Sequence, residues 1–268
     1  MKRKWIKIVL WFVSVILFAV LVVFVVKIYG RNKCKAIQII INTSENNTFL
    51  TEQDVRTYIN SYNNSLVGTN LSDIDTEKIE CLVNGHPYVL KSKVYTTIKG
   101  ILKIEITQRL PIARIQNMFD EIYYLSDDGR MMPVPEKKSA RVVLVTGKIP
   151  NIYNNVINLD IDSAEIMKDS AHFMTTLYKV YKMARFINKN DFFKAQIQQI
   201  VVDSVGNFEL LPEVGKHIII FGDETDMEQK FEQLELFYNK SIFIEGWDKY
   251  DTINVKYKNQ IICSKINL

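Results

Sequence analysis

Few side chains in this 268-residue sequence are spaced for chemistry, and those few read better as structure. The three histidines, His86, His172 and His217, fall near a helix end, within a helix and at a strand start. None has a nucleophile or a second metal ligand placed beside it. Carboxylates pair at Asp127-Asp128 and at Asp160-Ile161-Asp162. Both stretches read as turns, where aspartate accepts hydrogen bonds from nearby backbone amides. Asp127-Asp128-Gly129 also lacks the acidic closing position of a calcium loop. Cys34, Cys81 and Cys263 are neither a disulfide framework nor a metal-ligand spacing, so packing is their default role. No Gly-x-Gly-x-x-Gly, phosphate-binding loop, Gly-x-Ser-x-Gly or His-Glu-x-x-His is present. The residues therefore predict no catalytic pair, no metal, no cofactor and no small-molecule substrate.

The amino end carries a different signal. From Ile8 to Val26 every residue is apolar except Ser14, a run of about 19 residues or roughly 28 Å of helix. That length predicts a transmembrane helix over 8–28, with residues 1–7 as a short cytoplasmic tail. The run ends without a small-residue cleavage site, which favours a retained anchor over a signal peptide. Lys2, Arg3, Lys4 and Lys7 in front are nearly balanced by Lys27, Arg31, Lys33 and Lys35 behind, so charge alone leaves the orientation open. A short tail ahead of an export-competent helix favours the amino end inside and the bulk of the chain outside. The net charge of +4 owes much to these flanks, and no basic stripe with interleaved aromatics points to nucleic acid.

The remaining chain is long enough for two ordinary domains. In the first, over 34–110, the β-branched run 36–41 reads as a strand, and Thr51-Glu52-Gln53-Asp54 resembles a capping box opening a helix to about residue 61. Asp75 caps a second helix carrying Ile79, Leu82 and Val83, and strands over 88–98 and 101–108 turn at Lys99-Gly100. The order is β-α-α-β-β. The second domain, over 111–268, reads as strands at 112–115, 122–125 and 142–145, a long helix over 163–188, and strands at 197–202, 208–211 and 217–221. A helix over 226–238 and strands at 252–257 and 260–266 close it. The fold class is α+β: a transmembrane helix, a β-α-α-β-β domain, then a larger domain with a mainly antiparallel sheet ending near the carboxyl end.

This order of parts resembles the FtsQ/DivIB family of bacterial cell-division proteins, with the β-α-α-β-β unit similar to a POTRA domain. Leu50 to Val55, Gly68-Thr69-Asn70-Leu71 and Pro87-Tyr88-Val89 resemble POTRA positions. The stretch Glu105 to Arg114, followed by Tyr124, Asp128-Gly129 and Pro133, is similar to the family's domain junction. Lys216 to Gly222 and Ile253 to Tyr257 resemble its closing strand-helix-strand sequence, and the match fades beyond Tyr257.

The resemblance implies a non-enzymatic, single-pass inner-membrane protein of the division septum, with its bulk in the periplasm. It implies binding to FtsB, and with it FtsL, by strand addition at the last strand, and a role in recruiting and regulating septal peptidoglycan synthesis. Carried onto this sequence, the partner-binding residues are Lys256, Tyr257, Asn259, Gln260, Ile261, Ile262 and Cys263. Of these, Lys256 matches a basic and Tyr257 an aromatic contact position, Asn259 to Cys263 supply pairing backbone, and Ile261 and Ile262 supply apolar contacts. The alternation of Ile253, Val255 and Tyr257 fits a simple core strand equally well. Two other classes compete. A POTRA-containing secretion or outer-membrane assembly factor would need repeated POTRA units and a barrel, and a membrane-tethered wall enzyme would need a catalytic pair.

Overall fold

The computed structural model describes residues 2–30, 32–43, 49–62, 66–136, 138–150, 153, 173–242 and 246–265. His172, Asp160, Asp162 and the 163–172 part of the expected long helix lie outside the described residues. The chain divides into two units, Met1–Gln108 and Arg109–Leu268.

Unit 1 begins with helix α1 (Lys2–Gly30). Here the expected fold class is corrected. Among the described residues, no helix is long and apolar enough to cross a membrane. A hydrocarbon core of ~30 Å needs about 20 predominantly apolar residues in one helix, and among the described residues no helix meets that. The single-pass topology built on a span over 8–28 therefore has no such helix to rest on.

The rest of unit 1 is strand β1 (Ala36–Asn42), helices α2 (Glu52–Tyr62) and α3 (Thr76–Asn84), and strands β2 (Val89–Thr96) and β3 (Ile101–Gln108). The sheet order is β1-β3-β2, with β1 parallel and β2 antiparallel to the central strand. Local chemistry sets the helix starts. Asp54 N–H donates to Thr51 Oγ1 at 3.2 Å while Thr51 N–H donates to Asp54 Oδ2 at 2.9 Å, a reciprocal cap. At α3, Lys78 N–H donates to Asp75 Oδ1 at 3.0 Å. The β2–β3 turn needs Gly100, because φ is 83° there and a Cβ would lie 2.9 Å from the Lys33 carbonyl. Buried Gln108 accepts from the N–H groups of Phe49 and Leu50 at 2.9 and 3.1 Å, tying the entry to α2 to the end of β3. Val55, Ile59, Ile79 and Val83 of the helices meet Ile39, Val94, Leu102, Ile104 and Ile106 of the strands in one core. Both helices thus cover the same face of the sheet.

Unit 2 runs β4 (Pro111–Gln116), β5 (Ile122–Ser126), β6 (Met131–Met132), β7 (Val143–Gly147), α4 (Phe173–Lys189), α5 (Asp191–Gln196), β8 (Ile197–Val202), β9 (Phe208–Pro212), β10 (Ile218–Gly222), α6 (Met227–Phe237), β11 (Tyr250–Asn254) and β12 (Ile262–Lys265). Among the described residues these strands form one sheet in the order β12-β11-β10-β9-β8-β7-β4-β5-β6. The neighbours are antiparallel except for the pairs β4–β7, β7–β8 and β10–β11. A parallel pair needs a crossover, which α4 and α5 supply between β7 and β8 and α6 supplies between β10 and β11. Leu177, Val180, Ala184 and Ile187 of α4, Phe193 of α5 and Phe231 of α6 bury against Ile115, Val145, Ile200, Phe208, Phe221 and Ile253 of the sheet. Phe231 is the hub, with ring centroids of Phe186, Phe193 and Phe221 at 4.5, 4.6 and 4.8 Å.

Two buried polar groups complete this core. Arg109, only 4% exposed at its side chain, pairs with Asp128, and Asp127 lies 3.5 Å from Arg185 Nε. The adjacent aspartates thus sit at the turn the sequence suggested and there face arginines. Burial first, and the Arg130 charge second, lower the Arg109 pKa to about 10. Elsewhere, His217 Nε2 and the Tyr238 hydroxyl are joined by a 2.8 Å hydrogen bond in a buried site. Burial pushes the His217 imidazole below its ordinary value, and a hydrogen bond with the Trp247 backbone only partly opposes this.

A histidine with a depressed folded pKa binds fewer protons in the folded than in the unfolded chain. Its contribution is therefore fully present above the ordinary imidazole value and is lost as pH falls through the folded pKa. Urea midpoints at pH 7.5 and 5.5 are expected to show acid destabilisation that shrinks in His217→Gln, which keeps a hydrogen-bonding group near Tyr238. An equal acid loss in the variant would assign the effect to other groups, His86 first, since its pKa is also lowered by burial.

Candidate partner-binding site

The outermost strand β12 pairs only with β11 among the described strands, so one flank carries no strand neighbour. Thr252 lies opposite Ser264, Ile253 opposite Cys263 and Asn254 opposite Ile262, and the Thr252 hydroxyl donates to Ser264 Oγ at 2.9 Å. Such an edge offers main-chain donors and acceptors to an added strand. The opposite edge, β6, is two methionines long and both are buried.

The preceding strand ends earlier than the sequence pattern suggests. Ile253 and Val255 are fully buried, and Val255 N–H donates to the Ile220 carbonyl at 3.0 Å. Then Asn254 Oδ1 accepts from Lys256 N–H at 3.0 Å, an Asx turn that takes the chain off the ladder. Asn259 follows in the left-handed region at φ 58°. Lys256, Tyr257, Asn259 and Gln260 therefore lie on the connection, Ile261 just before β12, and Ile262 and Cys263 on it. Tyr257 is 47% and Ile262 49% exposed, whereas Ile261 and Cys263 pack partly against the core. The alternation of Ile253, Val255 and Tyr257 thus splits, with the first two inside and the tyrosine outside. Ser264 and Lys265 are also exposed on β12, within the strand the sequence placed over 260–266.

Beside the connection is a cleft lined by Asp223, Gln229, Lys230, Lys256, Tyr257 and Lys258. The Lys256 stem crosses Gly222, whose φ is 79° and where a Cβ would lie 2.9 Å from Lys256 Cγ. Lys230 Nζ donates to the Asp223 carbonyl and to Asp223 Oδ1 at 2.9 and 3.0 Å. Burial alone would raise the Asp223 carboxyl, but hydrogen bonds from Lys230 and Thr225, with the Lys230 charge, outweigh it and lower the pKa. Lys230 is therefore occupied. The arrangement suits recognition of a polypeptide, with a strand edge, an exposed tyrosine and isoleucine, and lysines around a turn. Among the described residues no cluster of His, Cys, Asp and Glu could hold a metal.

A family model described as FtsQ/DivIB, C-terminal related, matches residues 110–264, and one described as POTRA-like domain matches residues 32–107. No curated protein matches the chain. With more than half its length in the first match, the chain belongs to the FtsQ/DivIB family of cell-division proteins, non-enzymatic scaffolds that act through protein–protein contacts at the division site.

Proposed function

We propose that this protein binds FtsB, and with it FtsL, in the division complex and helps recruit and regulate septal peptidoglycan synthesis. The partner adds an extended segment along β12, taking its main-chain hydrogen bonds from the strand and its side-chain specificity from Tyr257, Ile262 and the lysines of the connection. The observation that supports this reading is the edge itself: a four-residue outer strand with Ile262 half exposed, next to a connection that holds Tyr257 in solvent. An exposed aromatic beside a strand edge is the kind of anchor on which interface energy concentrates.

Co-purification of the full chain with FtsB, followed by titration, tests it. Tyr257→Ala is expected to weaken binding about tenfold, typical of a moderate anchor. A chain ending before Gln260 removes the pairing backbone and is expected to abolish binding. Unchanged FtsB binding by both variants would sink the reading.

A further inference from the structure

We propose that the uncovered face of the unit 1 sheet is a docking surface for an acidic polypeptide segment. Helices α2 and α3 bury one face of this sheet, and the other carries the alternate residues of all three strands. Register places Lys91 opposite Thr107, Lys93 opposite Glu105 and Tyr95 opposite Lys103. On the far side of the central strand, Gln38 lies opposite Lys103 and Ile40 opposite Glu105. The face therefore holds three lysines and a single carboxylate. That carboxylate is engaged, because the Tyr95 hydroxyl donates to Glu105 Oε1 at 2.6 Å. Among the described residues none of the three lysine ammonium groups has an ion-pair partner; Lys93 reaches only the Tyr95 ring, at 5.9 Å.

Geometry selects the occupant. Lys91 and Lys93 are two residues apart on one strand, roughly 6.6 Å at ~3.3 Å per residue, and Lys103, opposite Tyr95 on the adjacent strand, lies one more such step along, roughly 8 Å diagonally from Lys93. An extended chain with carboxylates at alternate positions repeats at that same ~6.6 Å and presents them to such a lattice. Half-buried Ile40 and Ile101 give the segment apolar contact between the charges without forming a protruding wedge that would enter a lipid layer. The proposal does not depend on what β12 binds.

The test uses the full chain in neutral detergent and a fluorescein-labelled octapeptide of alternating Glu and Thr, read by anisotropy. The comparison variant is Lys91→Thr/Lys93→Thr/Lys103→Thr, which places a strand-compatible residue at surface positions. Wild type is expected to bind the acidic peptide at least tenfold tighter than a Lys-Thr peptide, and to lose that binding as salt rises from 0.05 to 0.5 M. The triple variant is expected to bind about tenfold more weakly with its far-UV circular dichroism and urea midpoint unchanged. Equal affinity of the variant and wild type, or no lysine-dependent binding of the peptide, overturns the proposal. So does lysine-dependent binding seen only with phosphatidylglycerol mixed micelles and absent with the peptide, which would make the face a lipid-binding surface.

Discussion

Phe231→Ala is expected to destabilise unit 2 by about 3–5 kcal/mol, the range for removing a fully buried aromatic ring. The ring is completely enclosed and touches phenylalanines from α4, α5 and β10, so no single neighbour can move in to fill the space. The effect should extend to the partner edge. Helix α6 also carries Lys230, which holds Asp223 directly after β10, and β10 is the strand on which β11 pairs. Urea unfolding followed by far-UV circular dichroism gives the stability. Leu236→Ala, an exposed position on the same helix, serves as a reference and is expected to change stability by less than ~0.5 kcal/mol. A Phe231→Ala loss below ~1 kcal/mol would mean that the aromatic cluster is not the keystone of the helix-covered face.

Asp128→Asn is expected to cost about 2–4 kcal/mol, because it removes the carboxylate that neutralises the buried Arg109 guanidinium. Arg130, 3.9 Å from the same carboxylate, would then repel Arg109 with less between them. About a third of the Asp128 side chain is exposed, so solvent recovers part of the loss and the lower end of the range is favoured. The informative comparison is Arg109→Met/Asp128→Asn. Removing both charges should cost less than the two single changes added together, since no uncompensated buried charge remains. Strict additivity in thermal unfolding would show that the two groups act independently.

Much of the fold was legible wherever local chemistry and periodicity agreed. Thr51 with Asp54, and Asp75 with Lys78, form the caps that their spacing implies. The stripe of Leu177, Val180, Ala184 and Ile187 faces the core of unit 2. The edge was harder to read. Ile253, Val255 and Tyr257 alternate as a strand should, but the Asn254 side chain captures the Lys256 amide and ends the ladder between them, a local bond that periodicity does not register. The Asp127-Asp128 pair does lie at the expected turn, but its arginine partners were not legible, for the opposite reason. Arg185 is far away in sequence, and only the fold brings its guanidinium to Asp127. At the amino end, a count of apolar residues predicted a span, whereas among the described residues no helix is long and apolar enough to cross a membrane.

The parallel pairing of β1 with β3 bears on how unit 1 is made. Ala36 finds its partner at Ile101, across both helices and β2. As the chain leaves the ribosome, β1 has no sheet to join until β3 has emerged, and the Ile39, Ile40 and Ile41 run waits exposed meanwhile. Loop closure over that distance slows folding, and an apolar strand left unpaired is prone to aggregate. Helices α2 and α3 can form early from their own caps, so the expected order is helices first, the β2–β3 hairpin next and β1 last. Chaperone dependence during synthesis should therefore fall when the isoleucine run is interrupted by a polar residue at position 40, on the face that the helices leave uncovered.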